Sequence, residues 1–459
     1  MIICNPNRSV HFIGIGGIGM SGLAELLLML GFRVSGSDRQ KSPITVRLES
    51  LGARVQYDHE PALIKEADLA VYSSAIRPDN PERSLAREKG IRLMRRAEML
   101  GDFMRMKFSV GVAGTHGKTT TTSLIGQILH EAGMDPTVIV GGILKNSGSN
   151  LMKGTGDILV AEADEYDRSF LEMHPSIAVV TNIEADHLDC YSDIDDIKNA
   201  FVGFMNRAPF YGAVVACIDE PAVREVLPSC TRPVITYGLD EKADYSARSV
   251  SFEPGRTNFT LYRRTVPLGN VALSLHGVHN VKNACAACAV ALELGVDMDC
   301  IGKTLARFWG VGRRFDVKGV KGGVTVIDDY AHHPSEIRAT LAAARLAGYK
   351  RVIAVFQPHL YSRTRDFMDD FAESLAQADE VVVTGIYKSR EEPIPGVAAS
   401  TIVERIAKRG HGGARYVENV DRVAGEVTGT LRDGDAVVVM GAGDVGKICT
   451  TILERLAHA

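Results

Sequence analysis

The segment Gly114-Thr115-His116-Gly117-Lys118-Thr119-Thr120-Thr121-Thr122 directly follows an apolar run, Phe108 to Ala113, and opens a helical pattern. Backbone N–H groups of such a loop can cradle phosphates, Lys118 can neutralise β and γ oxygens, and Thr119 can ligate Mg²⁺. The spacing departs from the standard template, in which four residues separate two glycines ahead of the lysine, but the chemistry survives. A Thr-rich helix start capped by hydroxyls is the plainer reading of the same residues. A second loop, Gly14-Ile-Gly16-Gly17-Ile-Gly19, follows Val10 to Ile13, and Asp38 lies at the end of the next strand, Phe32 to Ser35. This fits the dinucleotide template: glycines admit a pyrophosphate, the helix start supplies partial positive charge, and the acid meets a ribose. A nucleotide sugar offers the same pyrophosphate, and a bare strand-to-helix turn has the same spacing. A third loop, Gly441-Ala-Gly443-Asp-Val-Gly446, has the spacing with no acid at the matching distance beyond it. A close structural turn is expected there.

These loops need strands to hold them. Short apolar runs recur at Leu69 to Tyr72, Ile158 to Ala161, Ile177 to Thr181, Ala213 to Ile218, Val352 to Phe356, Glu380 to Thr384 and Ala436 to Met440, interleaved with helical periodicity. Continuous apolar strands alternating with helices predict parallel sheets covered on both faces, hence an α/β fold. Between Tyr245 and Ser274 the period is closer to two, with turn signals at Pro254-Gly255 and Leu268-Gly269-Asn270, which predicts a small antiparallel patch. Fresh strands begin near Phe108 and just after Gly310 to Gly312, the latter following a helical run from Ala284 to Phe308. The expected domains are therefore 1–107, 108–311 and 312–459. The first and last are Rossmann-like, and the middle one is a P-loop ATPase-like parallel sheet carrying the patch.

A chain of 459 residues has length for about three domains. Its 45% hydrophobic and 24% charged residues are the balance of a soluble globular protein with several cores. A net charge of -4, without basic runs, gives no reason to expect a nucleic-acid partner. The apolar stretch from Leu23 to Leu30 is too short to span a bilayer. Asn5, Asn7 and Arg8 interrupt anything like a signal peptide. The eight cysteines are scattered, and the pair Cys285 and Cys288 lies in an Ala-rich helical run, so small apolar packing residues are expected. A cytoplasmic location with reduced thiols follows as the expectation.

The motifs taken together resemble the Mur ligases, the ATP-dependent amide-forming enzymes of peptidoglycan synthesis. The loop at Gly114 to Thr120 carries that resemblance, with Val160-Ala-Glu162-Ala-Asp164-Glu165 and Thr181-Asn182-Ile-Glu-Ala-Asp186-His187-Leu188-Asp189. So do His279-Asn280-Val-Lys-Asn283 and Gly312-Arg313-Arg314-Phe315. The first loop, with Met20-Ser21-Gly22 after it, and Asp328-Asp329-Tyr330-Ala-His332-His333-Pro334 look most like the alanine-adding members; the tripeptide-recycling members are the close rival. The resemblance implies a ligase that joins L-alanine to the lactyl carboxylate of UDP-N-acetylmuramate using ATP and Mg²⁺, through an acyl phosphate. It implies that Gly114, Thr115, His116, Gly117, Lys118, Thr119 and Thr120 hold the phosphates, and that Asn280 and Asn283 meet the adenine. Arg314 would reach the γ-phosphate, Asp329 the ribose, and His332 the acyl intermediate and the incoming amine. Thr119 and Glu162 suit the oxygen preference of Mg²⁺, and the resemblance adds His187. Lys118, Glu162, His187, Arg314 and His332 are then the catalytic set. Gly14, Gly16, Gly17, Gly19, Asp38, Ser73 and Arg363 would bind the UDP-sugar, where Leu360 stands in place of an arginine that many alanine-adding members carry. Two other classes compete: a nicotinamide oxidoreductase, motivated by Gly14, Gly16, Gly19 and Asp38 alone, and a non-catalytic nucleotide switch.

Overall fold

Five short parallel strands build the N-terminal sheet, in the order Arg54–Gln56, Arg33–Ser37, Ser9–Ile13, Leu69–Tyr72 and Arg92–Arg95. The computed structural model describes residues 8–58, 61–145, 148–188, 190–253, 255–308, 310–389 and 391–458. Asn5, Asn7, Asp189 and Pro254, used above, lie outside them. Ser9–Ile13 occupies the sheet centre and is buried throughout, His11 included, which is why most of it reads as apolar sequence. Helix Ile18–Met29 follows the first glycine loop and buries Met20 through Leu27, so the apolar stretch there is a core helix. One flank of it meets the central module: Ser149 donates to Glu25 Oε2 at 3.0 Å.

The central sheet has ten strands among the described residues. Its inner run, Ala213–Cys217, Ile177–Val180, Phe108–Ala113, Ile158–Glu162 and Thr137–Ile139, is parallel. At one edge Leu151–Met152 pairs antiparallel. At the other, Val234–Gly238 and Tyr245–Glu253 extend the parallel order, followed by Arg256–Arg263 and Val266–Leu273. Leu268-Gly269-Asn270, expected as a turn, instead lies inside that last strand. The reversal falls at Arg264-Thr265, where Arg264 adopts φ +55° and donates its N–H to Asp244 O at 2.7 Å. The helical run expected from Ala284 to Phe308 is two helices, Val278–Glu293 and Met298–Ala306. The break is fixed by Asp297, whose carboxylate accepts the Cys300 N–H at 2.9 Å. Cys285 and Cys288 are fully buried, and burial pushes the Cys288 thiol up to about 12, as expected of packing residues.

The C-terminal sheet runs Asp316–Lys321, Val324–Asp329, Asp435–Met440, Arg351–Phe356, Glu380–Thr384 and Ala414–Val417; only the first pair is antiparallel. Ile337, Leu341, Phe371 and Ile402 pack on one face, and Val423, Ile448 and Ile452 on the other. Each such side chain contributes about 1.5–3 kcal/mol by leaving water. The chain gathers into two compact units. One comprises residues 1–248, 260–269 and 282–305; the other comprises 249–259, 270–281 and 306–459. The N-terminal sheet and most of the central sheet thus share the first unit, while parts of Tyr245–Glu253, Arg256–Arg263 and Val266–Leu273 belong to the second. No described helix is long and apolar enough to cross a membrane.

Candidate active site

Strand Phe108–Ala113 delivers the chain into Gly114 at φ +144°, where a Cβ would lie 1.9 Å from Thr181 Oγ1. Only glycine fits so close an approach. The Thr181 to Glu184 segment braces the loop from the next strand. His116 N–H donates to Asn182 Oδ1 at 2.8 Å, while Thr181 Oγ1 and Asn182 Nδ2 donate to His116 O at 2.6 and 3.0 Å. Glu184 N–H donates to Thr115 Oγ1 at 2.9 Å. Helix Lys118–Glu131 then starts behind Gly117 with no side-chain cap, so its first-turn donors are left for an anion. Asn283 is drawn in beside this start: a Cβ on Gly117 would meet its Oδ1 at 2.6 Å. Thr119 and Thr120 are buried in the first turn.

Lys118 is the charged centre. Its ammonium donates to Gly114 O at 2.6 Å and to both oxygens of Glu165, at 3.0 and 2.8 Å. Burial alone would lower the lysine pKa, but Glu165, with Asp164 and Glu162, outweighs it and holds the ammonium charged above the ordinary lysine range. His187 stands on the other side of the same carboxylate, Nε2 3.6 Å from Glu165 Oε1 and 3.8 Å from Asp186 Oδ2. Burial opposes its charge, yet Glu165 and Asp186 raise its pKa above the ordinary histidine value. His187 sits at φ +56°, with its carbonyl accepting from Cys190 and Tyr191 N–H. Such left-handed backbone is held only where the surroundings fix it. Glu162, at the end of strand Ile158–Glu162, accepts the Gly141 N–H. Hydroxyl and carboxylate oxygens of Thr119, Glu162 and Glu165 are hard donors of the kind Mg²⁺ takes. Sequence reasoning missed Glu165 as a site residue. Its signal was present, in the three acids packed into Glu162-Ala-Asp164-Glu165 just past a parallel strand.

At the first glycine loop, Gly14 and Ile15 N–H donate to Ser37 O at 2.8 and 2.9 Å, and Gly16 N–H donates to Asp38 Oδ2 at 2.8 Å. Asp38 Oδ1 accepts Arg39 N–H at 2.7 Å. Asp38 therefore grips the loop itself, which removes the main motive for a nicotinamide ribose there. Ser73 lies at the turn above: its carbonyl accepts Ile76 N–H, and Ile76 would touch a Cβ on Gly14 at 3.3 Å. Gly17 caps helix Ile18–Met29. Arg96 is a cation that the sequence did not flag. A Cβ on Gly19 would meet its Nη1 at 2.9 Å, and Nη2 of the same guanidinium lies 3.8 Å from Asp164 Oδ2.

In the second unit, Asp329 ends strand Val324–Asp329 and accepts Phe315 and Ala331 N–H at 2.7 and 2.8 Å. Burial pushes its carboxyl up to about 6, against Arg314 and those two donors. Arg314 lies 5.1 Å over the Tyr330 ring and 3.7 Å from Glu336. His332 Nδ1 is 2.9 Å from Tyr330 O and 3.2 Å from Glu336 Oε2. His333 forms the capping box that starts helix Pro334–Leu346. Asn280 lies within the first turn of Val278–Glu293 and donates to His276 O at 2.7 Å. Arg363 is buried in helix Tyr361–Asp366, and Leu360 caps it at φ +72° with its N–H on Tyr387 O.

Three family models cover nearly the whole chain: Mur ligase family, catalytic domain at residues 9–108; Mur ligase middle domain at 112–291; and Mur ligase, glutamate ligase domain at 313–443. A UDP-N-acetylmuramate--L-alanine ligase of Sorangium cellulosum is 50% identical over 452 residues, covering 98% of this chain and 96% of that one. The chain belongs to the Mur ligase family. Among solved structures, the UDP-N-acetylmuramate-alanine ligase of Thermotoga maritima matches with a TM-score of 0.84 and 29% identity over 98% of this chain and 99% of that chain. A murein peptide ligase of Psychrobacter arcticus matches at 0.72 and 27%, over 99% of each. As a Mur ligase the protein is an ATP-dependent, amide-forming enzyme, and the oxidoreductase and switch readings fall away.

Proposed function

We propose that this Mur ligase joins L-alanine to the lactyl carboxylate of UDP-N-acetylmuramate, with ATP converted to ADP and phosphate, in the cytoplasmic synthesis of peptidoglycan precursors. The observation that carries the substrate is 50% identity, over 98% of the chain, to a relative named for that reaction. Joining a carboxylate to an amine is uphill in water, so ATP first phosphorylates the carboxylate. Lys118 and Arg314 offset the repulsion between the carboxylate and the γ-phosphate, and amides of the Gly114 to Thr120 loop hold the β and γ oxygens. Thr119, Glu162 and His187 would hold Mg²⁺, which would supply further positive charge there. Asn280 and Asn283 take the adenine, Asp329 the ribose, and His332 attends the acyl carbon and the incoming amine. Gly14, Gly16, Gly17, Gly19, Asp38, Ser73 and Arg363 hold the UDP-sugar, Asp38 through the loop amide it grips. On this reading residues 1–107 serve the UDP-sugar, 108–311 ATP, and 312–459 ATP and the amino acid.

A second reading is favoured by one observation: the likeness to a murein peptide ligase of Psychrobacter arcticus extends over 99% of this chain and 99% of that chain. That likeness leaves room for the tripeptide-recycling reaction. The test is ADP release with UDP-N-acetylmuramate and Mg-ATP, offering L-alanine or the tripeptide in turn. Release with L-alanine alone upholds the first reading; release with the tripeptide alone replaces it.

A further inference from the structure

Beneath the first glycine loop lies a polar cluster that no motif marks. His11, in the central strand Ser9–Ile13, and Glu82, on helix Pro81–Glu88, both have fully buried side chains, with His11 Nε2 2.9 Å from Glu82 Oε1. The other ring nitrogen lies 2.9 Å from Ser35 Oγ. Ser37 Oγ donates to Glu82 Oε2 at 2.5 Å, and Gln56 Nε2 reaches Oε1 at 3.5 Å. A buried ionisable pair is a poor device for stability alone, because apolar residues of the same volume commonly do as well or better. The cluster has a more specific consequence. Ser37 is the residue whose carbonyl receives the Gly14 and Ile15 amides, and its neighbour Asp38 receives the Gly16 amide. Three consecutive loop amides therefore hang on Ser37 and Asp38, and Ser37 hangs on Glu82. With those donors committed inward, the amides that open helix Ile18–Met29, at Ile18 and Gly19, have no intrahelical acceptor and are set for an anion.

We propose that His11 and Glu82 are positioning residues: through Ser37 they preset the loop that takes the diphosphate of the UDP-sugar. This rests on the reading of that loop as the UDP-sugar site. A loop fixed in advance loses less freedom when the ligand arrives, so the cluster acts on affinity and not on the chemical step. Both side chains are fully buried beneath the loop, so they act through it.

The test measures UDP-N-acetylmuramate affinity by calorimetry, and KM and kcat for each substrate, in Glu82→Gln and in the milder Ser37→Ala, which deletes one hydroxyl. Losing a buried hydrogen bond to a charged group should raise Kd and KM for the UDP-sugar about 10-fold in Glu82→Gln. In Ser37→Ala the rise should be about 3- to 10-fold. In both, kcat and the KM values for ATP and alanine should stay within about 2-fold. A purely structural cluster would lower kcat and the melting temperature together with no change in sugar Kd, and that result overturns the proposal. Gly16→Val, which places a branched side chain against Asp38, separates the two layers. If it abolishes sugar binding while Glu82→Gln and Ser37→Ala leave Kd unchanged, only the positioning role fails. If Gly16→Val leaves sugar binding intact, the loop assignment itself fails and the proposal with it.

Discussion

The loops at Gly114 and Gly441 both follow buried parallel strands, yet they are finished in opposite ways. At Gly114 the helix starts at once, its lysine lies among Glu162, Asp164 and Glu165, and no side chain caps its first turn. At Gly441 a short 3₁₀ turn, Val445–Lys447, precedes helix Ile448–Ala457, and the loop is filled from beside it. Gln357 Oε1 accepts the Val445 N–H at 3.2 Å and its Nε2 donates to Asp444 at 2.9 Å. A Cβ on Gly443 would lie 2.4 Å from Gln357 Oε1 and 2.6 Å from the Tyr387 ring. A glycine-rich turn is thus only an opportunity for an anion. Whether it becomes a site depends on what the neighbouring strand ends place in its mouth: a lysine among carboxylates in one case, the side chains of Gln357 and Tyr387 in the other.

That contrast can be broken most strongly at Lys118. Lys118→Ala should lower the rate of phosphoryl transfer by at least ~100-fold in single-turnover assays, the scale of a lost transition-state charge contact. A smaller loss would mean the charged loop is no more catalytic than the plugged one. Gly16→Val should weaken UDP-sugar binding about 10- to 100-fold, as expected for losing 1–3 kcal/mol at a packed loop, and leave ATP binding nearly intact. Loss of ATP affinity instead would reverse the two loops. Asp329 sharpens the comparison through pH, because its carbonyl accepts Gly441 N–H at 3.2 Å and so ties it to the plugged loop. Its folded pKa, about 6, lies above the unfolded value near 4. The stability this group contributes is present below about pH 4 and is lost as pH rises through 6. Asp329→Asn should therefore flatten denaturant-measured stability between pH 4 and 6, by about 2–3 kcal/mol across that window. A slope unchanged by the substitution would refute the assignment. The smallest effect belongs to Gly443→Ala, which should cost about 1–3 kcal/mol of stability by overpacking and leave kcat unchanged.

How much of this could be read from residues alone differs between the same regions. Strand Phe108–Ala113 and the loop after it were legible because a continuous apolar run and a Gly-Lys-Thr cluster are local signals. The first and third loops share a spacing, and only Asp38 downstream told them apart. The structure then gives Asp38 a different task, holding Gly16 N–H, which no spacing rule encodes. Leu268-Gly269-Asn270 misled for a related reason: turn-forming residues are tolerated inside a strand once Arg264 and Asp244 fix the reversal elsewhere. Glu165 and Arg96 were illegible as partners because each meets its target across elements distant in sequence. His11 reads as a polar interruption in an apolar strand until Glu82, 71 positions later, is seen beside it.

On the proposed reading, the carboxylate is activated as an acyl phosphate. The direct measurement starts with ¹⁸O in the lactyl carboxylate of UDP-N-acetylmuramate and follows it through one turnover with Mg-ATP and L-alanine. An acyl phosphate requires that one labelled oxygen leave with inorganic phosphate as the amide forms, with ADP as the nucleotide product. Label confined to the peptide product, or release of AMP and pyrophosphate, would contradict it.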